Sequence, residues 1–310
     1  MLLRPGKTCD EALELLKNVT EQGLNDVQNS IPHLPPGGSG NALHRTEQIK
    51  AMHAAVNPYD QWTLAATKKL LEVFADRSIP ARMRGERYSS IVFGDHTADR
   101  LSQLLNRELN ELRTYFMELG NELYRLKEKY AHHQGGRTLV LDTNDLLHYS
   151  RYDKIPWAAV YGKNAVVVIP HVVVDEIDKK SYATSDSIRK RARGVFGLLE
   201  QTLTDQRDGH AMAGGVRVEV LLDEPQHVRL PNNDDEIVAR ACELQQAIGP
   251  VQVTVLTGDN GMRARALAWG LNADKLPAKY RIEQVSTGDR AEYLQSITAL
   301  EEQPPALTPG

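Results

Sequence analysis

The chain of 310 residues has only two cysteines, Cys9 and Cys242, which lie far apart and outside any Cys-x-x-Cys spacing. That excludes a disulfide framework and a thiolate zinc site, so both are expected to be free thiols. No apolar run approaches the roughly 20 residues needed to cross a bilayer. The first residues, MLLRPGKTCDEALELL, meet Pro, Gly and acids where an export signal needs unbroken apolar sequence, so no membrane association and a cytoplasmic location are expected. There is no excess of one charge either: Lys+Arg against Asp+Glu is 17 to 17 over residues 1–135, 19 to 20 over 136–285 and 1 to 4 thereafter, giving 0, −1 and −3. No domain is basic enough to announce nucleic acid by itself, and such a partner must be argued from local arrangement. The ten histidines form no His-Glu-x-x-His spacing; His132 and His133 read as linker residues, and His148 and His171 as structural. A nucleophile elbow is missing. GGSG at 37–40 lacks the preceding strand and following Lys-Ser/Thr of a phosphate-binding loop.

What is present is an ordinary soluble composition, 41% hydrophobic and 25% charged, in a chain long enough for two cored domains. Three breaks divide it. IPHLPPGGSG at 31–40 can neither continue a helix nor pair as a central strand and is expected to be a loop. HHQGG at 132–136 separates helical periodicity from strand-like runs, which puts a helical assembly or recruitment domain at 1–134 and a second domain at 135–285. Beyond these, residues 286–310 hold a short amphipathic stretch (Tyr293, Leu294, Ile297, Leu300) and a polar end expected to fray.

The first domain reads as helical over 10–29, 42–56 and 60–76, and most strongly along Leu105, Leu109, Leu112, Phe116, Leu119, Leu123, Leu126 and Tyr130, whose steps alternate four and three. Asp95, Thr97 or Asp99 supplies its N-cap. This heptad seam is either the buried stripe of an intramolecular bundle or the contact of a homo-oligomer through residues 105–130. The domain also offers a surface for another protein partner.

From Arg137 the texture changes. TLVLDT, AVVVIP, VRVEVLL and VQVTVLT are β-branched runs alternating with helical stretches near 171–181, 186–204, 234–248 and 260–269. Strands apolar on both faces and separated by helices predict a parallel sheet in an α/β/α sandwich, with ligands at the carboxyl ends of the strands. Acids stand at each of those ends. Asp142 ends the first run; Glu176 follows Pro170 near the buried face marked by Val173, Val174 and Ile177, while Asp175 and Asp178 face water; Asp234 and Asp235 open the third helix; Asp259 follows the last run, beside Gly258 and Gly261. Asp234 or Asp235 is also a fitting helix cap. Several carboxylates at one sheet edge repel unless cations neutralise them, and hard oxygen ligands suit Mg²⁺ or Mn²⁺. Two such ions assist phosphoryl displacement by metal-activated water without a side-chain nucleophile.

LVLDTNDLL with Asp142 and Asn144, IPHVVVDEIDKK with Glu176, NNDDEIVARA with Asp235 and VLTGDNGMRARA with Asp259 resemble, in order and spacing, the Asp, Glu, Asp, Asp pattern of the PIN-domain nucleases over residues 137–284. The resemblance implies a Mg²⁺- or Mn²⁺-dependent endonuclease, usually acting on RNA, with those four acids as catalytic metal ligands and Asn144 and Asp234 as secondary candidates. Asp145 stands where the family commonly has an apolar residue. Arg189, Lys190, Arg191 and Arg193, with Lys179 and Lys180, are the basic strip expected to hold a phosphate backbone, and Arg263 and Arg265 lie near Asp259. The alternative is a catalytically degenerate PIN-fold binding protein. A phosphatase using Asp142 as nucleophile is disfavoured by Asn144, which occupies the place of its usual second Asp.

Overall fold

The computed structural model describes residues 3–31, 42–133, 135–207, 211–249 and 253–282; the 31–40 break beyond Ile31 and the 286–310 tail lie outside them. The first half is helical: α1 (Cys9–Asn18), a π turn (Val19–Leu24), α2 (Asn25–Ser30), α3 (Ala42–Val73), α4 (Ser78–Ala81), α5 (Glu86–Phe93) and α6 (Ala98–Lys129). Thr8 and Glu11 form a reciprocal capping box at α1, each accepting the other's otherwise orphaned N–H. The stretches at 42–56 and 60–76 are one continuous helix, with Pro58 inside it. A proline there removes a hydrogen bond and costs about 3 kcal/mol. Burial of Ala55 and Tyr59 on either side holds the helix through the interruption.

Thr97 caps α6, its hydroxyl accepting the N–H of Arg100 at 3.3 Å. Thr97→Ala is therefore expected to lower unfolding free energy by about 1 kcal/mol, read as a shifted midpoint in chemical denaturation with an unchanged slope. The heptad seam is consumed within the chain. Leu112, Phe116, Leu119 and Leu123 close over Leu3, Leu16, Leu70 and Phe74. Leu105 and Leu109 close over Leu24, Val27, Tyr59 and Ile91. Of the two readings of the seam, this burial is that of the intramolecular bundle, packed by α3, α5 and the N-terminal helices. Glu108, buried on α6, is neutralised by Arg82 at 2.7 Å and Arg87 at 3.3 Å.

The second half is the α/β sandwich. Strands β1 (Thr138–Leu141), β2 (Val166–Pro170), β3 (Met212–Ala213), β4 (Val216–Leu221), β5 (Val253–Leu256) and β6 (Asn272–Asp274) form one sheet in the order β3-β4-β2-β1-β5-β6. All neighbours are parallel except the β3–β4 edge hairpin. Every residue of β1 and β2 is buried, as strands covered on both faces require. The helices are α7 (Thr143–His148), α8 (Trp157–Tyr161), α9 (His171–Lys180), α10 (Asp186–Arg207), α11 (Asn233–Ile248) and α12 (Asn260–Ala268). The chain builds outward from β1 through β2 to β4, then returns to place β5 on the other side of β1. The switch in strand order therefore falls beside β1, where ligands bind in open α/β sheets.

The two halves share side chains. Tyr130, at the end of α6, is buried in the core of the sandwich, and its hydroxyl lies 3.3 Å from Glu243. Gln246 on α11 donates to the carbonyl of Leu3 at 3.0 Å. Among the described residues, no helix is long and apolar enough to cross a membrane.

Candidate active site

Each predicted acid is delivered by a strand or the helix that follows one. Asp142 stands at the junction of β1 and α7, its backbone N–H bonded to the Leu256 carbonyl of β5 at 3.2 Å. Its side chain does not cap α7. Instead Oδ2 accepts from Thr257 Oγ1 at 2.8 Å and from Asn144 Nδ2 at 3.3 Å. Only 3% exposed, Asp142 has its pKa raised, first by burial and further by the charge of Asp234, against the lowering influence of the Thr257 hydrogen bond and the nearby Thr143 and Asn144 N–H groups.

Thr257 also accepts the Asp259 N–H at 3.0 Å, so one hydroxyl joins the first and last acids. Asp259 itself caps α12, its Oδ1 accepting from Gly261 N at 2.5 Å and Met262 N at 3.1 Å. Gly261 leaves room for this approach, since a Cβ there would crowd that oxygen at 3.1 Å. Capping at α11 falls to Asn232, which accepts from both Asp234 N and Asp235 N and leaves both carboxylates free of that duty. Glu176 is half-buried on α9, where Val172, Val173 and Ile177 form the buried face. Thr143, next to Asp142, donates to its Oε2, and Asn233, next to Asp234, donates to Oε1 at 2.6 Å. Asp175, expected to face water, is paired with Arg229 of the loop before α11.

Thr257 thus ties the Asp142 carboxylate to the Asp259 backbone, while the residues beside Asp142 and Asp234 hold Glu176. Of the adjacent pair on α11, Asp234 is the acid whose charge acts on Asp142. Arg265 binds Asp234 at 2.8 Å and Asp235 at 3.4 Å. Among the described residues, the two triads of ligand atoms gathered within 4.8 Å, His132 with His133 and Glu219 and Asp223 with His227 and Glu236, do not include these acids.

Sequence reasoning did not find Thr257, Thr143 and Asn233 as carboxylate partners; the signal available was their adjacency to the acids. It noted Asp145 only as polar. Asp145 is 2% exposed, and both its oxygens lack a hydrogen-bond partner. Burial, and then the charge of Asp142, pushes its pKa up to about 8. Orphaned, crowded carboxyls beside all-oxygen donors fit a hard divalent cation, the charge this edge is short of.

The basic strip is rearranged relative to expectation. Arg189 binds Asp186 and the Ala183 carbonyl, and Arg193 binds the Ser181 carbonyl at 3.2 Å, so these two tie the α9–α10 connection. Arg191 reaches the Leu147 carbonyl at 3.4 Å at the end of α7. There it joins Lys180 and Arg281 around His148, whose pKa is lowered by burial and then by Arg191, Arg281 and Lys180. Cations therefore stand at the far end of the helix that Asp142 begins.

No curated protein matches the chain. A family model described as PIN domain matches residues 139–276.

Proposed function

Residues 139–276 form a PIN domain, a nuclease-type fold, and from that premise we propose that the chain is a divalent-cation-dependent endoribonuclease that hydrolyses single-stranded RNA. The observation that carries this reading is that Asp142, Glu176, Asp234 and Asp259 each follow a strand of one parallel sheet, with the unpartnered Asp145 close to Asp142.

Asp142, Glu176, Asp234 and Asp259 are the residues that would hold Mg²⁺ or Mn²⁺, with Asp235 as the alternative to Asp234. A bound ion supplies Lewis acidity to the phosphate and makes water a nucleophile near neutral pH. The chain's own residues do the rest. Thr257 and Asn144 fix the Asp142 carboxylate, and Thr143 and Asn233 hold both oxygens of Glu176. A carboxylate held this way accepts a proton from water without first reorganising. Arg265 supplies a positive charge to the acid pair and is free to turn towards a phosphate when a cation takes its place. Lys180, Arg191 and Arg281 support an approaching strand through its phosphates. Such contacts are independent of sequence and weaken with salt. A domain of nearly zero net charge has little long-range pull on duplexes, which favours a short, flexible, single-stranded substrate.

Purified protein incubated with labelled RNA and the matching DNA tests this reading. Cleavage of RNA is expected to require Mg²⁺ or Mn²⁺, to stop with chelator and to fall with added salt. Uncut RNA across concentrations of both ions would favour instead the noncatalytic binding module, for which Arg265 already seated on the acids is the supporting observation. Within the site, Asp234→Asn is expected to reduce turnover more than Asp235→Asn, reversing the preference drawn from the helix pattern alone. Equal effects would mean that the two acids contribute alike and that Asp234 is not preferred over Asp235.

A further inference from the structure

Away from the acidic edge, the connection between the two halves carries a different donor set. The chain leaves α6 in a single 3₁₀ turn, Ala131–His133. His133 is almost fully buried, and His132 remains partly open. Their rings lie 4.3 Å apart, and their Nε2 atoms stand 3.1 and 2.7 Å from the same oxygen, Oε2 of Glu219 on β4. The three ligand atoms all fall within 4.8 Å of one another. Metal–nitrogen and metal–oxygen bonds of roughly 2.0–2.1 Å in a tetrahedral site put neighbouring ligand atoms roughly 3.3 Å apart. The observed 2.7 and 3.1 Å separations from Oε2 are close to that spacing.

The surroundings suit the same purpose. His133 Nδ1 is 3.2 Å from Thr138 Oγ1, at the start of β1. A hydroxyl donates or accepts as needed, so it can hold the tautomer that leaves Nε2 free for a metal, the usual office of an outer partner to a ligating histidine. His132 and Glu219 both line a cleft shared with Gln206, Ala211 and Arg217. That leaves a fourth position for water or an added ligand. The other triad, Asp223, His227 and Glu236, is unsuited: Arg229 and Arg240 already neutralise Asp223, and the Leu230 N–H occupies Glu236.

We propose that His132, His133 and Glu219 form a transition-metal site of the zinc class that pins the interdomain turn to the sheet. Imidazole nitrogen selects Zn²⁺ and its borderline neighbours, whereas Mg²⁺ and Mn²⁺ prefer the all-oxygen edge. The two sites therefore sort metals by donor chemistry. Occupancy of this one fixes the α6–β1 connection in the folded protein, because two ligands lie in the turn itself and the third on β4.

The test uses the untagged full chain in excess Mg²⁺, titrated with Zn²⁺ and separately with Co²⁺. One equivalent of Zn²⁺ is expected to remain bound after gel filtration, and Co²⁺ is expected to give the intense visible bands of tetrahedral coordination. His132→Ala removes a ligand from a partly exposed position and leaves the core intact; Zn²⁺ affinity should fall by more than about tenfold with an unchanged circular dichroism spectrum. Thr138→Val should weaken it by about 10–100-fold through the outer partner, while Asp142→Asn should leave it unchanged. Zinc binding that is equal in wild type and folded His132→Ala, or that is lost in Asp142→Asn, would overturn the proposal. So would a chain that binds neither ion in excess Mg²⁺, whatever its nuclease activity.

Discussion

Asp142→Asn is expected to reduce cleavage at saturating RNA by about 10³-fold or more, while RNA affinity changes only a few-fold. The proposed site asks Asp142 to supply a full negative charge at the end of β1, and loss of a cation's stabilisation of a phosphoryl transition state is worth several kcal/mol. Asn keeps the shape and still accepts from Thr257, so the bond that joins β1 to the end of β5 survives. Because a charged group only 3% exposed is replaced by a neutral one, the fold should be no less stable without metal. Single-turnover cleavage separates the step affected, binding is read from a titration, and thermal unfolding checks the fold. If turnover stays within tenfold of wild type, Asp142 is structural and the reading of the acidic edge fails. Thr257→Val should show a smaller loss, since it frees Asp142 to move without removing its charge.

With chelator present, stability is expected to fall as pH rises from about 4 to 8, and Asp145→Asn should remove most of that fall. The sign follows from proton counting. Asp145 has its folded-state pKa raised from 3.8 to about 8, so between those values the folded protein holds a proton that the unfolded chain has released. Stability declines with pH wherever the native state binds more protons. At 1.36 kcal/mol per unit the full effect is on the order of 5 kcal/mol. Below pH 4 both states are protonated and the difference disappears. Denaturant midpoints across this range, measured on wild type and Asp145→Asn, check it; parallel curves would show that Asp145 finds a partner or solvent at high pH. Added Mg²⁺ should flatten the wild-type curve by supplying the missing positive charge.

The sandwich was legible in the sequence because its strands are buried on both faces. Runs such as Val166 to Pro170 have no polar alternation to obscure them, and their ends are marked by the residues that start the next helix. The two-residue β3 and three-residue β6 were missed because neither is long enough to show a period. In the helical half, α6 was legible from its seam, but whether that seam faced the chain or another copy depended on contacts with residues such as Leu3 and Leu70, distant in sequence. The acids themselves were visible as charges interrupting apolar texture. Their relationships were not: that Asn232 caps α11 and frees Asp234, or that Arg265 crosses to the pair, depends on side-chain reach rather than order along the chain. The local bonds of the basic strip were hidden too. Helical spacing placed Arg189, Arg191 and Arg193 together without revealing that two of them are committed to the α9–α10 connection.

The position of β1 has a consequence for the life of the chain before it is complete. β1 lies between β2 and β5, and β5 enters the sheet only after four other strands have been made. Chains fold broadly from the N-terminus during synthesis, so the helical half, with its own cores, can settle early while one side of β1 waits without a partner. Thr257 and Asp259 arrive on that last-docking segment, and they complete the bracing of Asp142 and the acidic edge. On the proposed function, a nascent chain still on the ribosome would thus carry the parts of the site unassembled; arming waits until the sheet closes.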